Sequence, residues 1–402
     1  MKIFPVFCLA SMLLVLIFPM SGNAQMSRPD SIILKNRLKA EIRLDVGNIL
    51  PTNDFVKPQN TDPDGAHYFG YSLRLAKQTT GNKLWHQIYG YPEYGIGVYS
   101  AVFTNSKLLG NPIAVYGFFN APFFKINRLS LNYELGLGLT FNWNDLNPVS
   151  NPNNVAISTD KSVYIDAGIS LKYLLNRRLS FELGYGFTHF SNGRLKMPNK
   201  GLNTTASKFG LSYNLNDDPI RYQLQLKPAF SGHYEWIISG YSGSRNVLYV
   251  GTNVDLAIQM KGLNYAVFGL SNTFNRQINY KSKIGFGFTM EYNGSQNSQI
   301  IVEKGTLDEL DQRFERYLAL SIYPSYELVI DRLSIVIQPG FYLYRKKSAD
   351  MTPGYYQRIG VKYHFMNNTF LGISLRAYNF YQSDFIEWTL GHRFSWWYNI
   401  KQ

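Results

Sequence analysis

The stretch Leu129-Ser130-Leu131-Asn132-Tyr133-Glu134-Leu135-Gly136-Leu137-Gly138-Leu139-Thr140-Phe141-Asn142-Trp143 decides the fold. Every odd position is apolar, and every even position is polar or small. Side chains of a strand alternate between its two faces, so the pattern predicts a strand with one wholly apolar face. Val163–Tyr173 repeats it, with Asp166, Ser170 and Lys172 on the polar side. Leu38–Val46 does so with Lys39, Glu41, Arg43 and Asp45 opposite its apolar residues. A soluble sandwich also buries one face of each strand. Length separates the two: runs of about 10 to 14 residues suit a bilayer crossing, whereas strands of soluble proteins average about 5 or 6. The polar faces mix charge with glycine, as the lumen of a small barrel requires. A closed barrel is the sheet that leaves no unpaired backbone in lipid. The expected class is all-β, a transmembrane antiparallel β-barrel of the outer membrane.

Composition narrows the alternatives. The 402 residues include 30 Tyr and 27 Phe, which excludes long disorder, because disordered chains are poor in aromatics. No run of about 18 apolar residues follows the N-terminus, which argues against a helical membrane protein. Lys and Arg exceed Asp and Glu by 40 − 27 = +13. Outside a cytoplasm the anion such a surface meets is a phosphorylated lipid head group, and nucleic acid is not an expected partner.

Residues 1–24 read as a secretory signal peptide: Lys2 is the positive end, Ile3–Pro19 the apolar stretch, and Gly22-Asn23-Ala24 the small-x-small cleavage site. The expected destination is the bacterial outer membrane. The single cysteine, Cys8, lies inside that signal, so the mature chain would have no disulfide and no thiolate chemistry. His67, His86, His233, His364 and His392 show no metal-ligand spacing, and no glycine-rich loop has the context of a phosphate cradle. Neither a metal nor a cofactor is expected.

Loop lengths set an orientation. The connections at Phe124–Arg128 and Asn176–Arg178 are tight, while Asn48–Ala66, Asn144–Lys161 and Ser191–Ser207 are long and rich in Asn, Pro and Gly. Outer-membrane barrels have short periplasmic turns and long external loops. The long Thr79–Pro92 loop breaks that rule on the periplasmic side.

The chain also repeats itself. Tyr68–Gln78 resembles Tyr249–Gln259, Gly95–Val98 resembles Gly285–Phe288, and Arg128-Leu129-Ser130 resembles Arg332-Leu333-Ser334. Asn176–Asn192 aligns loosely with Asn367–Gln382. Order is kept, so the reading is two repeats of about eight strands, about 16 in all. The expected layout is a first repeat over residues 25–215, a linker over 216–232 and a second repeat over 233–402. One large barrel is favoured over two small ones.

The chemistry is expected at the end of one strand. Along Leu179–Ser191 the odd face Leu179, Phe181, Leu183, Tyr185 and Phe187 continues into His189 and Ser191, while Glu182, Gly184 and Gly186 suit the lumen. His189 and Ser191 therefore share the lipid-side face at the external rim. The run His189-Phe190-Ser191-Asn192-Gly193, followed by Pro198-Asn199-x-Gly201, resembles the PagL-type lipid A 3-O-deacylases and the related acyloxyacyl hydrolases. The resemblance covers about residues 36–215. It implies a serine esterase, with Ser191 as nucleophile and His189 as the base. It also implies an oxyanion hole built from the Asn192 amide and a backbone N–H near Gly193 or Arg194. The substrate so implied is lipid A, or lipopolysaccharide, in the outer leaflet. Arg194, Lys196 and Lys200 are then candidates for its phosphates.

One position departs from the family. Its histidine-orienting acid follows the Pro-Asn-x-Gly by two residues, where this chain has Asn203. An amide can orient an imidazole but stabilises imidazolium less than a carboxylate does. The second repeat has no His-x-Ser-Asn; Asn379 and Tyr381 stand at the aligned positions. The alternatives are a structural or pore-like barrel and a non-catalytic lipopolysaccharide binder. A lumen carrying Lys39, Arg43, Arg74, Glu134 and Glu182 looks plugged, which weighs against a pore.

Overall fold

The computed structural model describes residues 37–56, 67–147, 149–216, 222–247, 263–296, 314–345, 353–379 and 382–397. The expected signal peptide, residues 1–24, lies outside them. By contact the chain divides into two units, one of residues up to Asn192 with Lys200–Pro228, the other of Gly193–Asn199 with Ala229 onward.

The first unit is a closed barrel of β1 (Arg37–Ile49), β2 (His67–Gln78), β3 (Glu93–Phe103), β4 (Gly110–Ile126), β5 (Leu129–Trp143), β6 (Ser162–Leu174), β7 (Leu179–Ser191) and β8 (Leu202–Asn214). The second is a closed barrel of β9 (His233–Val247), β10 (Leu263–Gln277), β11 (Ser282–Asn293), β12 (Leu318–Ile330), β13 (Leu333–Arg345), β14 (Tyr355–His364), β15 (Thr369–Tyr378) and β16 (Gln382–Trp397). Eight strands per repeat is what the sequence predicts. The preference for one large barrel is corrected. β1 pairs with β8 from Lys39↔Asn214 to Ile49↔Thr204, and β9 pairs with β16 from Gly243↔Glu387 to His233↔Trp397. Each repeat thus satisfies both its edges internally, and no edge is left for the other repeat to extend.

Three of the internal matches fall on equivalent strands. Gly95–Val98 and Gly285–Phe288 lie in the third strand of each barrel, Leu129 and Leu333 open the fifth, and Asn176–Asn192 and Asn367–Gln382 span the seventh. The fourth partner, Tyr249–Gln259, lies outside the described residues.

The alternation sorts the wall as expected. Leu73, Ile96 and Phe286 stand 64%, 65% and 65% exposed on the outer surface, a cost in water that lipid removes. The lumens are filled. In the first barrel Arg74 grips Glu134 through both guanidinium nitrogens, Arg43 reaches the same carboxylate, and Lys208 Nζ lies 2.6 and 2.7 Å from the Asp166 oxygens. Glu93 is shared by Lys39 and Lys172. In the second barrel Arg376 joins Glu291 to Glu387, and Arg358 Nε lies 2.7 Å from Glu387. Charges this deeply buried persist only in opposite-sign contact, so each lumen is a packed electrostatic core.

Two local departures have physical causes. Alternation puts Trp143 outside, yet it is buried. Asn142 takes a left-handed φ of 68°, which breaks the parity and turns the indole towards Phe103 and Phe190, with ring centroids 6.1 and 5.0 Å away. These rings close the end of the lumen near the long loops. The unusual Thr79–Pro92 loop is also structured. It folds into a short helix, Leu84–Ile88, whose His86 Nδ1 accepts from the Gly81 N–H at 3.2 Å. The chain after β8 returns over this loop: Gln223 N–H donates to Thr80 O at 2.7 Å, and the Tyr222 ring packs tilted against Tyr91 with centroids 4.4 Å apart. The length that seemed misplaced for a turn makes a cap over that end of the first barrel.

Candidate active site

Strand parity places the site. On β7, Phe181, Leu183 and Tyr185 are exposed on the outer face, while Glu182, Thr188 and Phe190 are buried in the lumen. His189 and Ser191 have the outward parity, and Ser191 is the last residue of the strand. Pairing across the wall sets Val163 opposite Ser191 and Asn203 opposite His189.

The register carries the first piece of chemistry. Asn203 Oδ1 lies 2.6 Å from His189 Nδ1. An amide oxygen only accepts, so the imidazole donates from Nδ1 and keeps the Nε2 lone pair for a proton. A histidine held in this way can act as a base at the nitrogen away from Asn203. The residue that departs from the family pattern thus lies against the His189 ring.

Loops from two other connections pack around the pair. Leu50 N–H donates to Asn203 O at 2.8 Å, Asn53 Nδ2 donates to Gly201 O at 3.0 Å, and Asn203 Nδ2 donates to Thr52 Oγ1 at 2.9 Å. Behind Asn53, Phe55 and Val56 are buried in the aromatic cluster that includes Phe190 and Trp143. From the β5–β6 connection, Val155 O and Ala156 O accept from Lys200 N–H and Gly201 N–H at 2.9 and 3.0 Å. Gly201 is required twice over. Its φ is +72°, and a Cβ there would sit 2.9 Å from His189 Cε1.

The remaining motif residues are placed as follows. Asn192 is buried, and its amide nitrogen lies 3.0 Å from Ser158 Oγ and 3.2 Å from Thr159 Oγ1. Gly193 and Arg194 are both left-handed, at φ 63° and 65°, so the chain turns sharply just after the serine. Arg194 Nε lies 3.1 Å from Met197 Sδ within that turn. Pro198 follows a cis bond, Asn199 is buried, and Lys196 and Lys200 are exposed. Sequence reasoning missed Thr52, Asn53, Ser158 and Thr159. They sit in irregular loops where no periodicity marks them, and only the fold brings them to β7 and β8.

The chain matches two family models. Residues 69–216 match "Lipid A 3-O-deacylase (PagL)", and residues 234–396 match "Acyloxyacyl hydrolase, C-terminal domain". No curated protein matches it. Among solved structures, Neisserial surface protein A is 9% identical with a TM-score of 0.29, covering 44% of this chain and 96% of that one. The Pseudomonas aeruginosa protein OccK8 (OprE) is 12% identical with a TM-score of 0.23, covering 90% and 98%. A triple mutant of the Rhodopseudomonas blastica porin is 9% identical with a TM-score of 0.17, covering 90% and 100%. The two family matches fall one on each barrel, and the chain belongs to the PagL-type lipid A 3-O-deacylase and acyloxyacyl hydrolase family of outer-membrane ester hydrolases.

Proposed function

We propose that the protein is an outer-membrane serine esterase that removes an ester-linked acyl chain from lipid A, with the 3-O chain as the expected target from the family match. The observation that carries this reading is the 2.6 Å contact of His189 Nδ1 with Asn203 Oδ1, two residues before Ser191 on the same face. His189 Nε2 takes the Ser191 proton as Oγ attacks the ester carbonyl carbon. The tetrahedral oxyanion is met by a backbone N–H of Gly193 or Arg194 and by the Asn192 side-chain amide, which must first give up its bond to Ser158 Oγ or Thr159 Oγ1. Collapse breaks the acyl–oxygen bond, and the imidazolium returns its proton to the departing sugar hydroxyl. Water, deprotonated by the same histidine, then releases the fatty acid from Ser191.

His189 and Ser191 have the parity of the lipid-facing residues, which supports an approach from the side where acyl chains lie, with Ser191 itself buried beneath the surrounding loops; the long-loop end supports the outer leaflet. The exposed Lys196 and Lys200 supply positive charge in the loop after the serine for the phosphates of lipid A, to which Arg194 adds only by leaving Asp384, 3.6 Å from its guanidinium. The filled lumens support an enzyme over a pore. Mass spectrometry of outer-membrane lipid A from cells with and without the gene tests the reading. One acyl chain should be lost only when the intact protein is present. Identical lipid A in both strains, with the protein folded in the membrane, overturns it.

A further inference from the structure

A carboxylate presents the same acceptor whichever way it is turned. An amide does not, since one end accepts and the other donates. Asn203 orients His189 usefully only with Oδ1 towards Nδ1. Turned over, Nδ2 would donate to Nδ1, the ring proton would move to Nε2, and the base would be lost. A chain that uses an amide at this position therefore needs something to set its direction.

We propose that Thr52 sets the direction of the Asn203 amide and, through it, the tautomer of His189. This rests on the reading of His189 as the base. Thr52 Oγ1 receives Asn203 Nδ2 at 2.9 Å. The hydroxyl hydrogen has Leu50 O as a weak acceptor, 3.5 Å away, which leaves the oxygen lone pairs for the amide. Leu50 O is held there because it also accepts the Thr52 N–H at 2.7 Å, and Leu50 N–H is tied to Asn203 O at 2.8 Å. Asn53, bonded to Gly201 O at 3.0 Å, fastens the same loop to the strand that carries Asn203. Thr52 touches no reacting atom and is a positioning residue. Its hydroxyl matters because this chain has an amide where the family has an acid.

The test is a cycle of four folded proteins in detergent: the natural chain, Thr52→Val, Asn203→Asp, and the two changes together, with Thr52→Ser as the conservative control. Fatty acid release from purified lipid A is measured for each. Thr52→Val should lower kcat about tenfold, the effect of one directing hydrogen bond of about 1.4 kcal/mol, with KM unchanged. Thr52→Ser should restore the rate. In the Asn203→Asp background Thr52→Val should cost less than about threefold, since a carboxylate has no direction to set. Nitrogen NMR of the His189 ring reads the tautomer without catalysis: Nδ1 protonated in the natural chain and in Thr52→Ser, with Nε2–H gained in Thr52→Val. An unchanged rate and tautomer in Thr52→Val overturns the proposal. So does an equal loss in both backgrounds, which would make Thr52 a loop anchor only. If Ser191→Ala proves as active as the natural chain, the esterase reading fails, yet the ring spectrum still decides the role of Thr52.

Discussion

The two barrels have walls of the same kind and differ at one rim. Each has eight strands, an outward apolar belt and a lumen of paired charges. In the first, β7 and β8 are joined by residues 192–201, which carry the amides and cations of the motif. In the second, β15 and β16 are joined by residues 379–381. Where the first barrel sets His189 against an amide, the second sets Tyr378 against Asp384, and Arg245 Nε lies 2.7 Å from that carboxylate. The second rim thus has the acid that the first one lacks, but an arginine holds it. An arginine is permanently charged and takes no proton, so that rim has a structural ion pair where the first has an imidazole against an amide. The two walls are of one kind, and on the proposed reading the chemistry would depend on the loop after the seventh strand and on His189.

The sharpest way to break this contrast is to remove the serine or the histidine. Ser191→Ala and His189→Ala should each lower fatty acid release from lipid A by at least about a thousandfold, because neither group works alone. Each variant must first be shown to be folded, by its spectrum in detergent. Release by Ser191→Ala at the natural rate would move the chemistry elsewhere.

Exchange of the orienting group ranks second. Asn203→Ala should cost about ten- to a hundredfold, less than loss of the base, because it removes one hydrogen bond and the control of the ring. Asn203→Asp should hold or raise activity, since a carboxylate stabilises imidazolium better; its cost is burial of a charge beside Thr52 and Gly201. Initial rates of release at one lipid concentration rank the three proteins. If Asn203→Asp falls as far as Asn203→Ala, the amide is tuned to its surroundings and the family's acid cannot replace it here.

Regular features were legible in the sequence and irregular ones were not. The alternation of Leu129–Trp143 gives the strand, its outer face and its lumen face, because side-chain direction in a strand is a local property. His189 and Ser191 inherit their outward parity from Phe181, Leu183 and Tyr185 in the same way. Asn203 was legible as a departure from a motif, and its pairing with His189 follows from register. The number of barrels was not legible, since closure of β1 on β8 depends on contacts between residues at opposite ends of the repeat. Thr52 and Ser158 were silent for a similar reason: each lies in a loop whose path only the fold defines. Trp143 misled, because the left-handed turn at Asn142 that buries it leaves the alternation of residue types intact.

Glycines provide a third comparison, one within each barrel. Gly201→Ala puts a Cβ 2.9 Å from His189 Cε1 at a φ of +72°, so the ring must move and the backbone is strained. Activity should fall about tenfold, and stability by about 1 to 3 kcal/mol. Gly354 has nothing within 4 Å of a Cβ, and Gly354→Ala should shift stability by no more than about 0.5 kcal/mol. Denaturant unfolding in detergent alongside release rates measures both. A Gly201→Ala protein with normal activity would mean that the imidazole has slack at this position.

The smallest expected effect on activity is at the rim that lacks a histidine. Asn379 aligns with His189, takes a left-handed φ of 52°, and its Oδ1 accepts from Tyr355 OH at 2.6 Å. Its aligned neighbour Tyr381 lies outside the described residues. Asn379→Ala removes an exposed hydrogen bond and puts alanine at a positive φ, which together should cost about 1 to 2 kcal/mol of stability. Fatty acid release should stay within about threefold of the natural rate, because among the described residues of this rim the acid, Asp384, is held by Arg245 and no histidine stands beside it. A loss beyond about tenfold, equivalent to about 1.4 kcal/mol of barrier, would show that the second barrel takes part in turnover. The division between a catalytic barrel and a supporting one would then fail, however similar the two walls are.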